Sequence, residues 1–198
     1  MKKVLSLLAV AALLVAAAPA KDGYEVGDKV ADFKLKNVDG KMVSLADFKT
    51  AKGFIVMFDC NTCPVSKAYN ERILALNKKY ASQGFPVIAI NPNDPSVSAG
   101  DSFEKMVDYA KKKGYDFPYL VDETQNVAKA FGATNTPHVF VLTKDLTVAY
   151  IGSIDNSRDA GNVTKKYVEE AVDALLAGKE VPTPKTKAVG CTIKWKPA

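Results

Sequence analysis

The chain has 198 residues, 47% of them hydrophobic, and a formal net charge of +5. This length and composition fit one globular domain with a substantial core. Its 27 lysines and arginines are spread along the chain, so a nucleic-acid-binding protein is not indicated. Three cysteines are too few for a disulfide scaffold, and the odd number leaves one over.

Residues 1–20 have the pattern of a cleaved secretory signal. Lys2 and Lys3 precede an uncharged apolar stretch over 4–17, and Ala18-Pro19-Ala20 provides the small residues of a signal-peptidase site. The stretch is short and rich in alanine, so we expect no stable membrane insertion after cleavage. Removal of the signal leaves 198 − 20 = 178 residues with a charge of +5 − 2 = +3. We therefore expect a periplasmic or otherwise exported protein.

The first predicted elements after the signal are a hairpin, a buried strand and a helix. Alternating apolar and polar residues over 33–36 and 42–45 flank Asp39-Gly40, which is typical of a hairpin turn. The continuous apolar run over 54–58 predicts a strand buried on both faces. A helix follows from near Pro64, with one apolar stripe made of Val65, Tyr69, Ile73, Leu76 and Tyr80.

The remaining elements alternate between strands and helices. The predicted order is a strand over 87–90, a loop over 91–100, a helix capped by Asp101 or Ser102, a strand over 117–121, a short helix through Phe131, strands over 138–142 and 147–151, and a helix over about 163–177. This order implies parallel βαβ units followed by an antiparallel pair, and therefore an α/β fold with a central mixed sheet flanked by helices. We expect one domain over 21–180 and a tail over 181–198 that docks on it.

The sequence Cys60-Asn61-Thr62-Cys63 lies where the strand over 54–58 gives way to the helix that begins near Pro64. At such a junction the first thiol can lie over the unpaired backbone N–H groups of the helix start, which favour the reactive thiolate. A disulfide between these cysteines closes too small a ring to add much stability. The spacing therefore indicates reactivity rather than structural support.

Three short runs, over 59–64, 89–94 and 190–195, together with the Thr136-Pro137 pair before a strand, carry a family resemblance. The chain resembles proteins of the thioredoxin fold. Its N-terminal hairpin and its strand–helix insertion over 91–118 resemble the peroxiredoxin-related branch. That branch holds alkyl hydroperoxide reductase/thiol-specific antioxidant proteins and exported thioredoxin-like thiol–disulfide oxidoreductases. The resemblance covers roughly residues 26–178.

The resemblance implies a role for each matching residue. Cys60 matches the exposed nucleophile and Cys63 the buried resolving thiol of a thiol–disulfide oxidoreductase acting on protein thiols and disulfides. Pro137 matches a cis-proline facing the pair, which turns the backbone of Thr136 outward for pairing with an extended substrate. The cysteine pair carries the electrons, so no cofactor is expected, but a redox-recycling partner is required.

Asp59 departs from the thioredoxin pattern, which has tryptophan before the first cysteine. A carboxylate close to Cys60 and poorly solvated would raise the pKa of that thiol and oppose the helix amides. The alternative is a solvated loop acid with no influence on the site. The sequence does not decide between the two, and it is equally consistent with a reductant and an oxidant.

Thiol peroxidase and Cu(I) binding are the two alternatives to thiol–disulfide exchange. Peroxiredoxins polarise the peroxide with a threonine at the position of Met57 and with an arginine near Pro137, whereas the arginines here are Arg72 and Arg158. Without those donors a stabilising contribution of about 3–4 kcal/mol is missing, so thiol peroxidase is the less favoured alternative. Two cysteines with His138 could also hold Cu(I), but we favour a core histidine.

Cys191 is the cysteine left over outside the pair. It could act as a second resolving thiol on a tail that folds back over Cys60 and Cys63. The favoured interpretation is a buried tail cysteine that behaves as a small hydrophobe, because residues 192–195 alternate like a docked edge strand.

Overall fold

The computed structural model describes residues 23–197, so the predicted signal over 1–20 lies outside the described residues. The strands are β1 (Lys34–Asn37), β2 (Met42–Ser44), β3 (Gly53–Phe58), β4 (Val87–Asn91), β5 (Tyr119–Val121), β6 (Asn135–Thr136), β7 (His138–Thr143), β8 (Val148–Gly152) and β9 (Cys191–Thr192). The helices are α1 (Pro64–Tyr80), α2 (Phe103–Lys113), α3 (Asn126–Phe131) and α4 (Tyr167–Leu176). None of the helices in this range is long and apolar enough to cross a membrane.

Seven strands form one sheet in the order β2-β1-β5-β4-β3-β7-β8, and this sheet is mixed, as predicted. Strands β3, β4 and β5 run parallel, whereas β7 is antiparallel to β3 and β8 is antiparallel to β7. The insertion over 91–118 supplies α2 and leads into β5, which lies between β4 and the N-terminal hairpin. The insertion thus joins the hairpin to the central sheet.

The pairing of β3 with β7 determines where the cysteine pair lies. Phe58, at the end of β3, is opposite His138, at the start of β7. Because the two strands are antiparallel, the chain that leaves β3 meets the chain that enters β7 at the same edge of the sheet. The segment beginning at Asp59 is therefore next to Thr136 and Pro137.

Apolar side chains pack on both faces of the sheet. Ile55 and Met57 of β3 belong to a cluster that includes residues of α1, α2 and α4, whereas Val56 and Phe58 belong to a cluster on the opposite face with α3. Alternation along a strand sends successive side chains to opposite faces, so a strand covered on both sides is apolar throughout. This explains the uninterrupted apolar run that predicted β3.

The last long helix begins later than the predicted residue 163. A short 3-10 turn occupies Ala160–Asn162, and α4 starts only at Tyr167. The intervening backbone is held by Asn156, whose Oδ1 accepts hydrogen bonds from the N–H groups of Thr164 (3.0 Å) and Lys165 (2.9 Å). A side chain eight or nine residues away thus takes backbone donors at the predicted first turn of the helix.

Candidate active site

The structure brings Cys60, Cys63, Thr136 and Pro137 together at the edge where β3 ends. The Sγ of Cys60 lies 3.1 Å from the Oγ1 of Thr136, and the thiol of Cys63 donates to the carbonyl oxygen of Thr136 at 3.1 Å. The Thr136–Pro137 peptide bond is cis, as predicted. Both cysteines are free thiols, and both contact the same residue, Thr136.

The expectation of an exposed Cys60 is wrong. Cys60 is 1% exposed and Cys63 is 2% exposed, while the fully buried Thr136 covers the sulfur of Cys60. The resemblance could not anticipate this, because the covering contacts come from segments more than seventy residues along the chain. A substrate disulfide therefore reaches Cys60 only after part of this cover moves.

The negative charge of the pair is favoured on Cys63 rather than on Cys60. Cys63 is the N-cap of α1, so its sulfur, and not that of Cys60, lies beside the free amides of the helix start. A hydrogen bond from Cys60 lowers the pKa of Cys63 well below its usual range, and the N–H of Ser66 contributes in the same direction. The same shared hydrogen bond raises the pKa of Cys60, and burial and the nearby Asp101 carboxylate add to that increase.

Asp59 is buried beside the pair, so the interpretation as a solvated loop acid is wrong. It is 1% exposed, and the hydroxyl of Tyr115 donates to its Oδ2 at 3.5 Å, while its Oδ1 has no hydrogen-bond partner within residues 23–197. Burial raises the pKa of Asp59 to about 6. The charged Asp59 also contributes to the raised pKa of Cys60, as the sequence analysis anticipated for a poorly solvated neighbour.

Asp101 is a site residue that sequence reasoning missed. Of the two residues expected to cap α2, Ser102 is the N-cap, whereas the buried carboxylate of Asp101 holds the spacer between the cysteines. It accepts hydrogen bonds from the N–H of Asn61 (2.7 Å) and the hydroxyl of Thr62 (2.7 Å). It also accepts from Asn93, in the loop that follows β4, at 3.0 Å. The Asn91-Pro92-Asn93-Asp94 run was the available signal, because β4 ends at the same sheet edge as β3.

His138 lies in the core, as favoured from the sequence. Its Nδ1 accepts from the N–H of Thr134 at 3.3 Å, and its ring packs on Phe140 with 4.7 Å between the ring centroids. Burial lowers the pKa of His138 to about 4, so the ring is neutral at physiological pH. Within the part of the chain that the structure describes, no group of three or more His, Cys, Asp or Glu residues is arranged to hold a metal ion.

The arginine that polarises a peroxide has no counterpart at the pair. Arg72 projects from α1 onto Asp155, with 2.6 Å between Nη1 and Oδ2, and it also donates to the carbonyl oxygens of Ser157 and Arg158. Met57 is fully buried in the apolar cluster below α1. These contacts agree with the interpretation that the peroxiredoxin donors are missing.

The C-terminal tail covers the edge at Thr136. Strand β9 pairs antiparallel with β6, which places Cys191 opposite Thr136. Cys191 is half-buried, and it lowers the pKa of Cys63, which donates to the carbonyl oxygen of the same Thr136. The favoured interpretation of Cys191 as a buried hydrophobe is therefore wrong, and its side chain belongs to the same thiol cluster as the pair.

Comparisons with known proteins agree with this architecture. The sequence profile of the AhpC/TSA family matches residues 26–151. A thiol-disulfide oxidoreductase ResA of Halalkalibacterium halodurans is 24% identical over 149 residues, which cover 75% of this chain and 76% of that protein.

Among solved structures, an uncharacterized conserved protein of Geobacillus kaustophilus superposes with a TM-score of 0.82 at 40% identity, covering 88% of this chain and 94% of its own. A protein of Chlorobium tepidum described as a thiol:disulfide interchange protein DsbE has a TM-score of 0.62 at 22% identity, covering 77% of this chain and 98% of its own. The latter likeness shows the thioredoxin-like fold alone.

The buried Asp59 predicts a specific pH dependence of stability. Its pKa is raised from 3.8 to about 6 in the folded protein, so its contribution to stability is greatest below pH 4 and is lost as the pH rises through 6. Asp59→Asn removes this loss. We expect the free energy of unfolding of the variant, relative to the wild type, to rise by roughly 3 kcal/mol between pH 4 and pH 7. Urea denaturation of the reduced proteins at each pH measures the free energy of unfolding, and Asp108→Asn is an exposed control. If the free energies of Asp59→Asn and the wild type change in parallel with pH, the raised pKa of Asp59 is contradicted.

Asp101 predicts an effect on the titration of Cys60. In a Cys63→Ser/Cys191→Ser background, Cys60 is the single thiol, and its thiolate absorbance can be followed against pH. Removing the nearby negative charge with Asp101→Asn should lower the pKa of Cys60, because Asp101 contributes to its increase. Asp108→Asn is again the matched control, and an unchanged midpoint in Asp101→Asn would show that this carboxylate does not act on the thiol.

Proposed function

This chain belongs to the AhpC/TSA family, and we propose that it is an exported thiol–disulfide oxidoreductase that exchanges a Cys60–Cys63 disulfide with protein thiols. The observation that carries the proposal is the pair of free thiols that both contact Thr136, next to the cis-Pro137. The name of the ResA relatives as thiol-disulfide oxidoreductases supports the same activity.

The exchange conserves atoms and electrons through a mixed disulfide. In the reducing direction, Cys60 Sγ bonds to one substrate sulfur while the substrate disulfide breaks, and the departing thiolate takes a proton. Cys63 then attacks Cys60 Sγ, which forms the Cys60–Cys63 disulfide and releases the second substrate thiol. The substrate gains two electrons and the pair loses two. Asp59, with a pKa of about 6 beside the pair, can accept and return a proton during these steps.

Substrate binding uses the backbone edge at Thr136 in this proposal. An extended peptide can add to such an edge through main-chain hydrogen bonds, which suits unfolded or flexible protein segments. In the structure this edge is paired with Cys191 of the tail. A protein substrate must therefore displace β9 before it lies against Cys60.

The proposed setting is the periplasm or another exported compartment, where a redox partner restores the pair after each cycle. The support is the signal pattern over 1–20. Osmotic-shock fractionation followed by N-terminal sequencing tests it. We expect the mature chain in the released fraction with Lys21 as its first residue; a cytosolic chain that retains residues 1–20 would contradict export.

A combined activity assay separates exchange from the two alternatives. We expect the wild type to accelerate insulin reduction by dithiothreitol, and Cys60→Ser/Cys63→Ser, which lacks both thiols of the pair, to fall to the rate of dithiothreitol alone, with Asp108→Asn as a control. Equilibration with glutathione gives the direction, since a potential near −270 mV is typical of a reductase and one near −120 mV of an oxidase. Exchange is contradicted if the wild type reacts with no dithiol substrate, while rapid peroxide consumption or tight Cu(I) binding would support the alternatives.

A further inference from the structure

The tail occupies the Thr136 edge through specific backbone contacts. Beyond the pairing of Thr136 with Cys191, the N–H of Ile193 donates to the carbonyl oxygen of Thr134 at 3.1 Å, and the side chain of Asn135 donates to the carbonyl oxygen of Gly190 at 3.0 Å. These contacts lie on both sides of the paired residues. The tail is thus bound as an extended strand, the form that this edge would accept from a substrate.

Two buried amide side chains anchor the tail on the C-terminal side of Cys191. Asn93 accepts from the N–H of Lys194 at 2.9 Å. Gln125 donates to the carbonyl oxygen of Lys194 at 2.9 Å and accepts from the N–H of Lys196 at 2.8 Å. Because unpaired buried polar groups are costly, both amides favour the docked tail. Ile193 is itself 4% exposed and packs in the core, so the docking is more than a surface contact.

Gly190 permits the close approach of the tail to the thiol pair. A Cβ atom on this residue would lie 2.2 Å from the carbonyl oxygen of Thr136 and 3.0 Å from the nitrogen of Pro137. That carbonyl is the same atom to which Cys63 donates. A side chain at position 190 would therefore push the tail away from the cysteines.

The docked tail assembles a cluster of three thiols. Cys60 and Cys63 both contact Thr136, and Thr136 is the residue paired with Cys191. The thiol and the N–H of Cys191 both lower the pKa of Cys63. Cys60 and Cys63 are buried, whereas Cys191 is half-buried, so it is the member of the cluster with access to solvent.

We propose that Cys191 is a third redox thiol and that the docked tail is the first exchange partner of the Cys60–Cys63 disulfide. This rests on the proposed function, which supplies that disulfide. Cys191 Sγ attacks Cys63 Sγ, a Cys63–Cys191 bond forms, and the Cys60–Cys63 bond breaks. Its electron pair goes to Cys60 Sγ, which takes the proton given up by Cys191. The step is an isomerisation with no net oxidation.

This step moves the disulfide from a buried position to a half-buried one. An external protein thiol can then attack at Cys191, and a protein disulfide can be attacked by Cys191, without first reaching Cys60. Formation of the Cys63–Cys191 bond also ties the tail covalently to the Thr136 edge. The exchange activity and the position of the tail are thereby linked through one sulfur atom, Cys63.

Disulfide mapping in the full chain tests the proposal. Cys60→Ser is oxidised with about 1 mM glutathione disulfide, quenched with acid, alkylated and digested for mass spectrometry. Because neighbouring thiols within a chain act at effective concentrations of millimolar or more, the Cys63–Cys191 cross-link should exceed glutathionylated protein. Cys60→Ser/Cys191→Ser is the control, which should be glutathionylated at Cys63. Glutathione on Cys63 and Cys191 without the cross-link, or two unreacted thiols, would overturn the proposal.

A second variant tests whether tail docking brings the thiols together. In the Cys60→Ser background, Gly190→Ala should lower the cross-link yield several-fold and increase the alkylation rate of Cys63. Gly161→Ala is the matched control, because its Cβ would lie at an ordinary 3.6 Å from Asp159 Oδ1. Circular dichroism verifies the fold of each variant. An undiminished cross-link in folded Gly190→Ala would contradict the role of the docked strand.

The results also separate this inference from the proposed function. A cross-link in Cys60→Ser supports the third redox thiol even if the wild type fails to reduce insulin, which would overturn the proposed function alone. Normal insulin reduction by the wild type, with no cross-link in Cys60→Ser, overturns the inference and leaves the proposed function in place.

Discussion

The antiparallel pairing of β3 with β7 is the constraint on which the site depends. Its register places Phe58 opposite His138, so the residues that follow one strand meet those that precede the other. This brings Cys60 and Cys63 to Thr136 although more than seventy residues separate them. Because both strands are buried in the centre of the sheet, a shift of one residue would turn their apolar side chains to the wrong faces. The core therefore fixes the geometry of the thiols.

The charges around the pair are arranged asymmetrically. Cys63 lies at the N-terminus of α1, which favours its thiolate, whereas Cys60 is close to two buried carboxylates that disfavour its own. Cys191 of the docked tail also lowers the pKa of Cys63. The role of Cys60 as the attacking thiol on a substrate requires the surroundings of the pair to change, and removal of the tail is the change that the structure makes available.

Local patterns were enough to predict most of the fold and part of the site. The apolar run of β3, the stripe of α1 and the thiol spacing at their junction are all encoded by neighbouring residues. The burial of Cys60, the role of Asp101 and the contact of Cys191 with Cys63 depend on pairings between distant segments. A single sequence does not show which residues of distant segments pair, so local context offered Asp101 only as one of two candidate helix caps. Asp59 shows the same limit, since its burial comes from side chains such as Tyr115 in the insertion.

The loop that follows β4 connects the tail to the cysteine pair. Asn93 binds the tail through its Oδ1, which accepts from Lys194, and binds Asp101 through its Nδ2. Asp101 in turn holds the N–H of Asn61 between the cysteines. If the tail leaves, the Oδ1 of Asn93 loses this partner, at a cost of about 1–3 kcal/mol unless water replaces it. Movement of Asn93 toward water would remove a donor from Asp101. Docking of the tail and the conformation of the Asn61-Thr62 spacer are therefore coupled through one amide side chain, so that the segment covering the thiols also helps to order them.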